Sequence, residues 1–279
     1  MANETTSSTI SELYTEIVAE ALFVASEQSI MRGLVRNYAI TGGGKSVEVP
    51  IYANVSAAAV NEATDLSNTA VNPTSVTITA AEVGIMTTLT DLARNSASRN
   101  VAADIGRLFG EAVATKIDTD LAALFTGFST EKAGGAGQEL TVQDLFEAAA
   151  ELKTNKAPAP YYGVFHPKQI FNVKKSLTNT FVGRDTELSN EAMRSGFVGN
   201  IAGIQIFESS NIAVDGSDDS IGGVFSQDAL GLAMMQDLKI ESQRDASLRA
   251  DEIVATAVFG VGELHDSYGV KITADTLAA

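Results

Sequence analysis

Apolar residues recur between Asn100 and Phe128 at Val101, Ile105, Leu108, Phe109, Ala112, Val113, Ile117, Leu121, Leu124 and Phe125. That rhythm of about 3.6 residues predicts one long helix with a single buried face. At ~1.5 Å per residue the helix is roughly 40 Å long, which points to an elongated subunit with neighbours. Asp104 falls in the first turn, where the helix dipole favours an anion, and Arg107 and Glu111 are spaced i,i+4 on the outer face. Gly127 is expected to end the helix in a left-handed conformation.

The pattern before this spine is different. Thr9 to Glu12 reads as a capping box, and Ile10, Leu13, Tyr14, Ile17, Val18, Ala21 and Leu22 predict an amphipathic helix, either core or an arm lying on a partner. From Val47 to Val55 and from Ser75 to Thr90 the chain alternates, with Val76, Ile78 and Ala80 on one face, and small polar turn-forming residues lie between. This predicts a long two-stranded excursion with a loop at its tip. Two strands are marginal in water by themselves, so the excursion is expected to lie on a neighbouring subunit.

After the spine, STEKAGGAGQE reads as a glycine-rich joint. Thr141 opens a helix carrying Val142, Leu145, Phe146, Ala149 and Leu152, stopped by Asn155 and Pro158. YYGVFHP gives a strand and then a helix with Pro167 in its first turn. IAGIQIFES, IGGVFS and GLAMMQ are expected as short strands of a second, mixed unit. From Asp237 to Val261 alternation returns, with Ile253, Ala255, Ala257 and Phe259 facing one way, long enough to run beside the spine. A last strand spans Tyr268 to Ile272.

Composition narrows the function. The chain of 279 residues has room for one large domain or two smaller ones. A formal charge of -16 argues against a groove that wraps phosphates. Without cysteine there are no disulfides, thiol nucleophiles or thiolate metal sites. No signal peptide and no run of ~20 apolar residues is seen, so a soluble protein made in the cytoplasm is expected. Ala39 to Ser46 loosely fits a phosphate loop, but the strand-like SVEVPIYANV follows where a helix is required, leaving a glycine hinge and a silent Lys45. His265 and Asp266 are neighbours and point to opposite faces of a strand, so they form no base and orienting pair. His166 is a polar residue at a helix start. DGSDD, Asp215 to Asp219, lacks the spacing and closing Glu of a calcium loop and is expected to be solvated. The expectation is therefore a non-enzyme with no catalytic, cofactor-binding or metal residues and no cofactor.

The order of these parts resembles the major capsid proteins of tailed double-stranded DNA bacteriophages with the HK97-type fold. The resemblance runs over nearly the whole chain. Its most specific piece is VNEATDLSNTAVNPTSVTITAAEVGIMTTLTDLARNS, with Glu62 in the loop, running into the spine. APYYGVFHPKQIFNVKKSL, GNIAGIQIFESSNI and EIVATAVFGVGELHDSYGVKI follow in the family's order. The resemblance implies an α+β fold: an N-terminal arm at 1–40, an extended hairpin loop with flanking peripheral strands at 41–90, a peripheral domain at 91–130 and 236–262, and an axial domain of mixed sheet with flanking helices at 131–235 and 263–279. It implies pentamers and hexamers closing into an icosahedral shell around packaged double-stranded DNA, without sequence-specific contacts, in a virion made in the host cytoplasm. A portal protein at one vertex is implied. Many relatives begin with a scaffolding domain, whereas this chain starts at Met1 close to its arm, so a separate scaffold protein is expected; a decoration protein is a further expected partner. An encapsulin nanocompartment and a soluble α/β enzyme are the alternatives. No lysine occurs between Lys45 and Lys116, so the isopeptide chainmail that some relatives form is not expected.

Overall fold

The computed structural model describes residues 21, 29–41, 43–52, 55, 57, 59–61, 65, 68, 70–96, 101–132, 135–181 and 199–276. The amphipathic helix expected from Thr9 lies outside them except for buried Ala21, and so does Glu62. Strand β1 (Arg36–Ala39) precedes β2 (Ser46–Ile51), β3 (Thr74–Thr79) and β4 (Ala81–Thr90). Helix α1 (Asp91–Ser96) leads into the spine, α2 (Val101–Ala123), and then β5 (Glu131–Lys132), α3 (Val142–Thr154), β6 (Tyr161–Phe165) and α4 (Pro167–Phe181). The chain continues through β7 (Asn200–Ile201), β8 (Ile204–Glu208), β9 (Asp219–Ser226), β10 (Leu230–Asp245), β11 (Ala250–Glu263) and β12 (Gly269–Asp275).

The spine packs as its periodicity requires, on a narrower stripe. Phe109, Val113, Ile117, Leu121 and Phe125 are buried against Leu230, Leu232, Leu238 and Ile240 of β10 and Ile253, Ala255, Ala257 and Phe259 of β11. Leu108, placed on the stripe by the sequence, is 60% exposed. The helix ends differently from expectation. It tightens into a 3-10 turn over Leu124–Gly127, and Gly127 is not left-handed. That glycine instead makes room for Glu263, whose Oε2 would lie 2.7 Å from a Cβ.

β10 and β11 are the centre of a four-stranded sheet in the order β1-β10-β11-β4. This corrects two expectations. GLAMMQ is not a separate strand of the second unit but the start of β10, and the alternating segment after Asp237 contains a hairpin turn between β10 and β11. The first half of β10 is covered on both faces, Leu232 by the spine side and Ala233 by the β2–β3 side, so it reads as an unbroken apolar run. Register shifts between Met234 and Lys239 then interrupt the alternation.

The second unit is a six-stranded sheet in the order β5-β12-β9-β6-β8-β7. Helix α4 is the crossover between the parallel strands β6 and β8. Leu145, Ala148, Ala149 and Leu152 of α3, with Ile170 and Val173 of α4, cover one sheet face over Val224, Val270 and Ile272. Helix α3 opens after Thr141 and stops at Asn155 as expected, and the structure adds a Thr141–Asp144 capping box at its start. Phe146 departs from the expected stripe and is 56% exposed. On the other face Phe125, Phe128 and Phe225 join the two units; the Phe125 ring lies 2.6 Å from where a Cβ at Gly223 would be, so the sheet needs a glycine there. The last strand is longer than expected and runs to Asp275.

Candidate assembly surfaces

The extended hairpin is seated on its own subunit. β2 and β3 pair antiparallel from Ser46↔Thr79 to Ile51↔Thr74, which puts Val49 and Ile78 on one face. That face packs on Ala233 and Leu264, with Ile40 alongside. Ile78 fills the space over two glycines, lying 2.9 Å from a Cβ built at Gly231 and again at Gly262. At Gly260 an added Cβ would run into the Thr79 carbonyl group, with its carbon 2.8 Å away. The Ala80 amide donates to the Lys45 carbonyl at 2.7 Å and closes the base. The long excursion expected from the sequence is therefore shorter: the chain breaks at Ala80, and β4 leaves the hairpin to pair with β11. A neighbouring subunit is not needed to support this base. Beyond it, Tyr52, Val55, Val60 and Val71 are about half exposed or more.

The segment from Ser29 to Met31 is pinned to the spine by one carboxylate. Asp118 follows Ile117 on the flank of the buried stripe and is 1% exposed. Its Oδ1 accepts from the Ser29 hydroxyl at 2.7 Å and the Met31 amide at 3.1 Å, and its Oδ2 from the Ile30 amide at 3.1 Å. The two amides begin the 3-10 turn Met31–Gly33, whose free donors the carboxylate caps. Burial pushes the carboxyl above its ordinary value, against the hydrogen bonds from Ser29, Met31, Ile30 and Asn211 that favour the anion. Next, β1 pairs parallel with β10, and Arg36 Nε meets Asp228 at 2.7 Å. Sequence reasoning missed Asp118; its only signal is an acid beside the buried stripe of a helix.

The residues weighed for chemistry stay apart. His265 stacks on Tyr268 with ring centres 4.6 Å apart, and burial lowers its basicity. Asp266 accepts instead from the Ser129 amide at 2.7 Å and from the Ser129 hydroxyl. Burial pushes Asp266 upward, but these donors outweigh it and hold its carboxyl below the usual range. Burial and the Asp266 charge raise the Glu263 carboxyl above its ordinary value. His166 opens α4, where its carbonyl accepts from the Gln169 amide at 3.0 Å; burial and Lys168 lower its basicity. Gly43 is left-handed and Lys45 leads into strand β2, so no helix N-terminus faces a phosphate there. In the acidic loop, Asp215 Oδ1 accepts from the Ser217 and Asp219 amides at 2.8 and 2.9 Å. Asp219 departs from the expected solvated state: it is 5% exposed and accepts from the Gly137 amide at 2.8 Å. No group of three acids or histidines among the described residues is placed to hold a metal ion. A groove of about 260 Å³ between the end of α2 and the 211–215 loop is lined mainly by Ala122, Ala123, Ile212, Ala213, Val214 and Ile221.

At the far end of the four-stranded sheet, the β4 edge and the β10–β11 hairpin tip carry exposed apolar groups. β4 presents Met86, α1 presents Leu92, and the β10–β11 turn presents Leu248. Arg244 grips Asp91 through two bonds of 2.7 and 2.6 Å and reaches Asp251 at 3.3 Å, tying α1 to the hairpin. No helix among the described residues is long and apolar enough to cross a membrane.

These surfaces can be compared with known proteins. A family described as phage capsid protein matches residues 73–272. No curated protein sequence matches the chain. Among solved structures, the capsid of the cyanophage P-SCSP1u shares 19% identity over 88% of this chain and 88% of that one, with a TM-score of 0.69. Mycobacterium phage Che8 shares 22% over 82% of this chain and 84% of that one, at 0.64. The capsid of a native GTA particle shares 12% over 89% and 91%, at 0.70. The mixed α+β fold is thus that of HK97-type capsid subunits.

Proposed function

Because the chain belongs to the phage capsid protein family, we propose that it assembles as pentamers and hexamers into an icosahedral shell enclosing double-stranded DNA. As a capsid protein it is a structural component of a virion. The observation that carries the finer reading is the protruding hairpin. Its base is fixed to its own sheet by Ile78 and Val49, while Tyr52, Val55, Val60 and Val71 beyond the base offer apolar surface that a neighbour would cover. In this reading 1–40 is the arm, 41–90 the extended loop and its flanking strands, and 91–130 the first peripheral segment. The second peripheral segment is drawn from Leu230, where β10 begins, and the axial domain takes the six-stranded sheet with α3 and α4. A portal protein occupies one vertex, a separate scaffold guides closure, and a decoration protein covers the joints. The subunit is made in the host cytoplasm and performs no catalysis.

The net charge of -16 supports a container that holds DNA without gripping it. The test is electron microscopy of particles from cells making this protein, followed by nuclease treatment. Closed shells with protected DNA support the reading; shells filled with a protein cargo would make it an encapsulin, and a compact monomer that forms no particles would overturn it.

A further inference from the structure

Helices α3 and α4 cover one face of the six-stranded sheet, yet each turns a phenylalanine outward: Phe146 is 56% exposed and Phe171 52%. Both rings sit beside the apolar stripe of their helix, and neither is needed to fill the core beneath it. Large aromatic side chains held on rigid helices are the groups that anchor protein interfaces. Two such anchors on neighbouring helices call for a partner.

The charges around the two rings are opposite. α3 carries Asp144, Glu147 and Glu151 against a single lysine, Lys153, whereas α4 carries Lys168, Lys174 and Lys175 and no acid at all. Part of this charge is matched within the subunit. Glu151 pairs with Lys132 at 3.2 Å, Lys174 with Glu208 at 2.7 Å and Lys175 with Glu139 at 3.1 Å. Beside the exposed rings the charge is unmatched: Glu147, next to Phe146, accepts from Gln143 at 3.0 Å, and Lys168 lies three residues before Phe171. Neither meets an opposite charge among the described residues. The matched pairs also show how the helices are disposed. Glu151 reaches β5 at one edge of the sheet, and Lys174 reaches β8 toward the other.

We propose that α3 of one subunit docks against α4 of the next copy of this chain, with Phe146 packed on the Phe171 face and Glu147 opposite Lys168. The occupant is a second copy because the two faces complement each other and repel themselves: an α3–α3 contact sets acid against acid, and an α4–α4 contact sets lysine against lysine. A contact between two different patches of the same molecule is heterologous and repeats around a ring until it closes. The inference rests on the shell-forming reading and assigns the ring contact to these two helices.

The chain has no cysteine, so introduced thiols report without background. Sedimented particles of the Phe146→Cys/Phe171→Cys double variant, treated with a short bis-maleimide, should give a denaturant-resistant ladder that stops at the size of the ring. Particles of either single variant should stay monomeric, and particles mixed from both should give dimers. Dimers from one single variant, or a double variant that stays monomeric in intact particles, would overturn the contact. Should the cysteines prevent assembly, charge reversal decides: Glu147→Lys and Lys168→Glu should each lower particle yield at least tenfold at low salt, and the two together should restore it. Unchanged yields, or no restoration, would overturn it as well. If the unmodified chain forms no particles, it is the shell reading that fails and not this contact alone.

Discussion

Replacing Asp118 by alanine should detach the Ser29–Met31 segment from the spine and cost more than any surface substitution. The carboxylate accepts from Ser29 Oγ and the amides of Ile30 and Met31, with Asn211 also favouring the anion, in a site that is 1% exposed. Each neutral donor left buried without an acceptor costs ~1–3 kcal/mol, so stranding the set together costs about 3–5 kcal/mol. Asparagine keeps an acceptor for Ser29 and Met31 but turns its amide on the Ile30 N–H, so Asp118→Asn should cost about 1–2 kcal/mol. With a urea slope of ~2–3 kcal/mol/M, the midpoint of the unassembled alanine variant should fall by about 1–2 M. Amide exchange at Ile30 and Met31 should rise in the same variant. The pH dependence has a definite sign. Burial raises the folded pKa of Asp118, so the folded state takes up the proton first, and the wild type gains stability from this group as pH falls through the window from its raised value toward the ordinary 3.8. The gap between wild type and the non-titrating asparagine variant should therefore widen as pH is lowered through that window. A midpoint for Asp118→Ala within ~0.2 M of wild type, where a cost of several kcal/mol is expected, would refute the reasoning.

Gly260→Ala should unseat the hairpin, because the added Cβ meets Thr79 backbone and not a movable side chain; proteolysis between β2 and β3 should become faster while the circular dichroism stays near native. Replacing Ala57 to Pro73 by a short turn should leave a folded subunit that forms no closed shells, and normal shells from this deletion would show that the loop is dispensable. Lys45→Ala should change neither particle yield nor the melting temperature in the presence of ATP. Mature particles boiled in detergent should run as one band at 29.2 kDa, since no lysine lies between Lys45 and Lys116 to be held against a neighbour's amide; a resistant ladder would point to Lys45.

The periodic elements were legible because their burial is one-sided. The spine, β11 with Ile253, Ala255, Ala257 and Phe259 inward, and the capped helix α3 each present one apolar face to one core, and a period of about 3.6 or 2 reports that directly. The misreadings have the opposite cause. The start of β10 is covered on both faces, and its bulges shift the pattern, so one strand of 16 residues reads as two pieces. Leu108 and Phe146 match the period but face outward, since periodicity marks which residues share a side and not how wide the buried stripe is. The hairpin's seat was hidden because it is made of absences: Gly231, Gly260 and Gly262 admit Ile78 and the Thr79 backbone, and a glycine in sequence does not say what approaches it. At the candidate surfaces the two histidines and the acidic loop carry no local pattern that says what each one meets, which is why the burial of Asp219 was not foreseen. Asp118 depended on contacts that span 87 to 89 positions, which no local pattern encodes.

What the exposed surfaces contribute can be set against what assembly requires. Tyr52, Val55, Val60 and Val71 are about half exposed, and burying the rest of such side chains is worth roughly 1 kcal/mol each at ~25 cal/mol per Å². Four of them give about 4 kcal/mol per copy, which the cost of ordering the loop and of joining two subunits largely offsets. A single loop contact is therefore weak and reversible, and a misplaced subunit can leave. A closed ring changes the arithmetic. In the proposed ring each added subunit would make its loop contact and its helix contact together, so the second would form at the effective concentration set by the first. The same weakness that lets errors dissolve in a pair becomes lasting cohesion in a closed surface. That is why the hairpin base must be rigid: Ile78 under Gly231 and Gly262 fixes the direction of the loop before any neighbour arrives, so the entropy of aiming it is spent in folding and not in assembly. Loosening that seat should accordingly weaken shells more than it weakens the subunit.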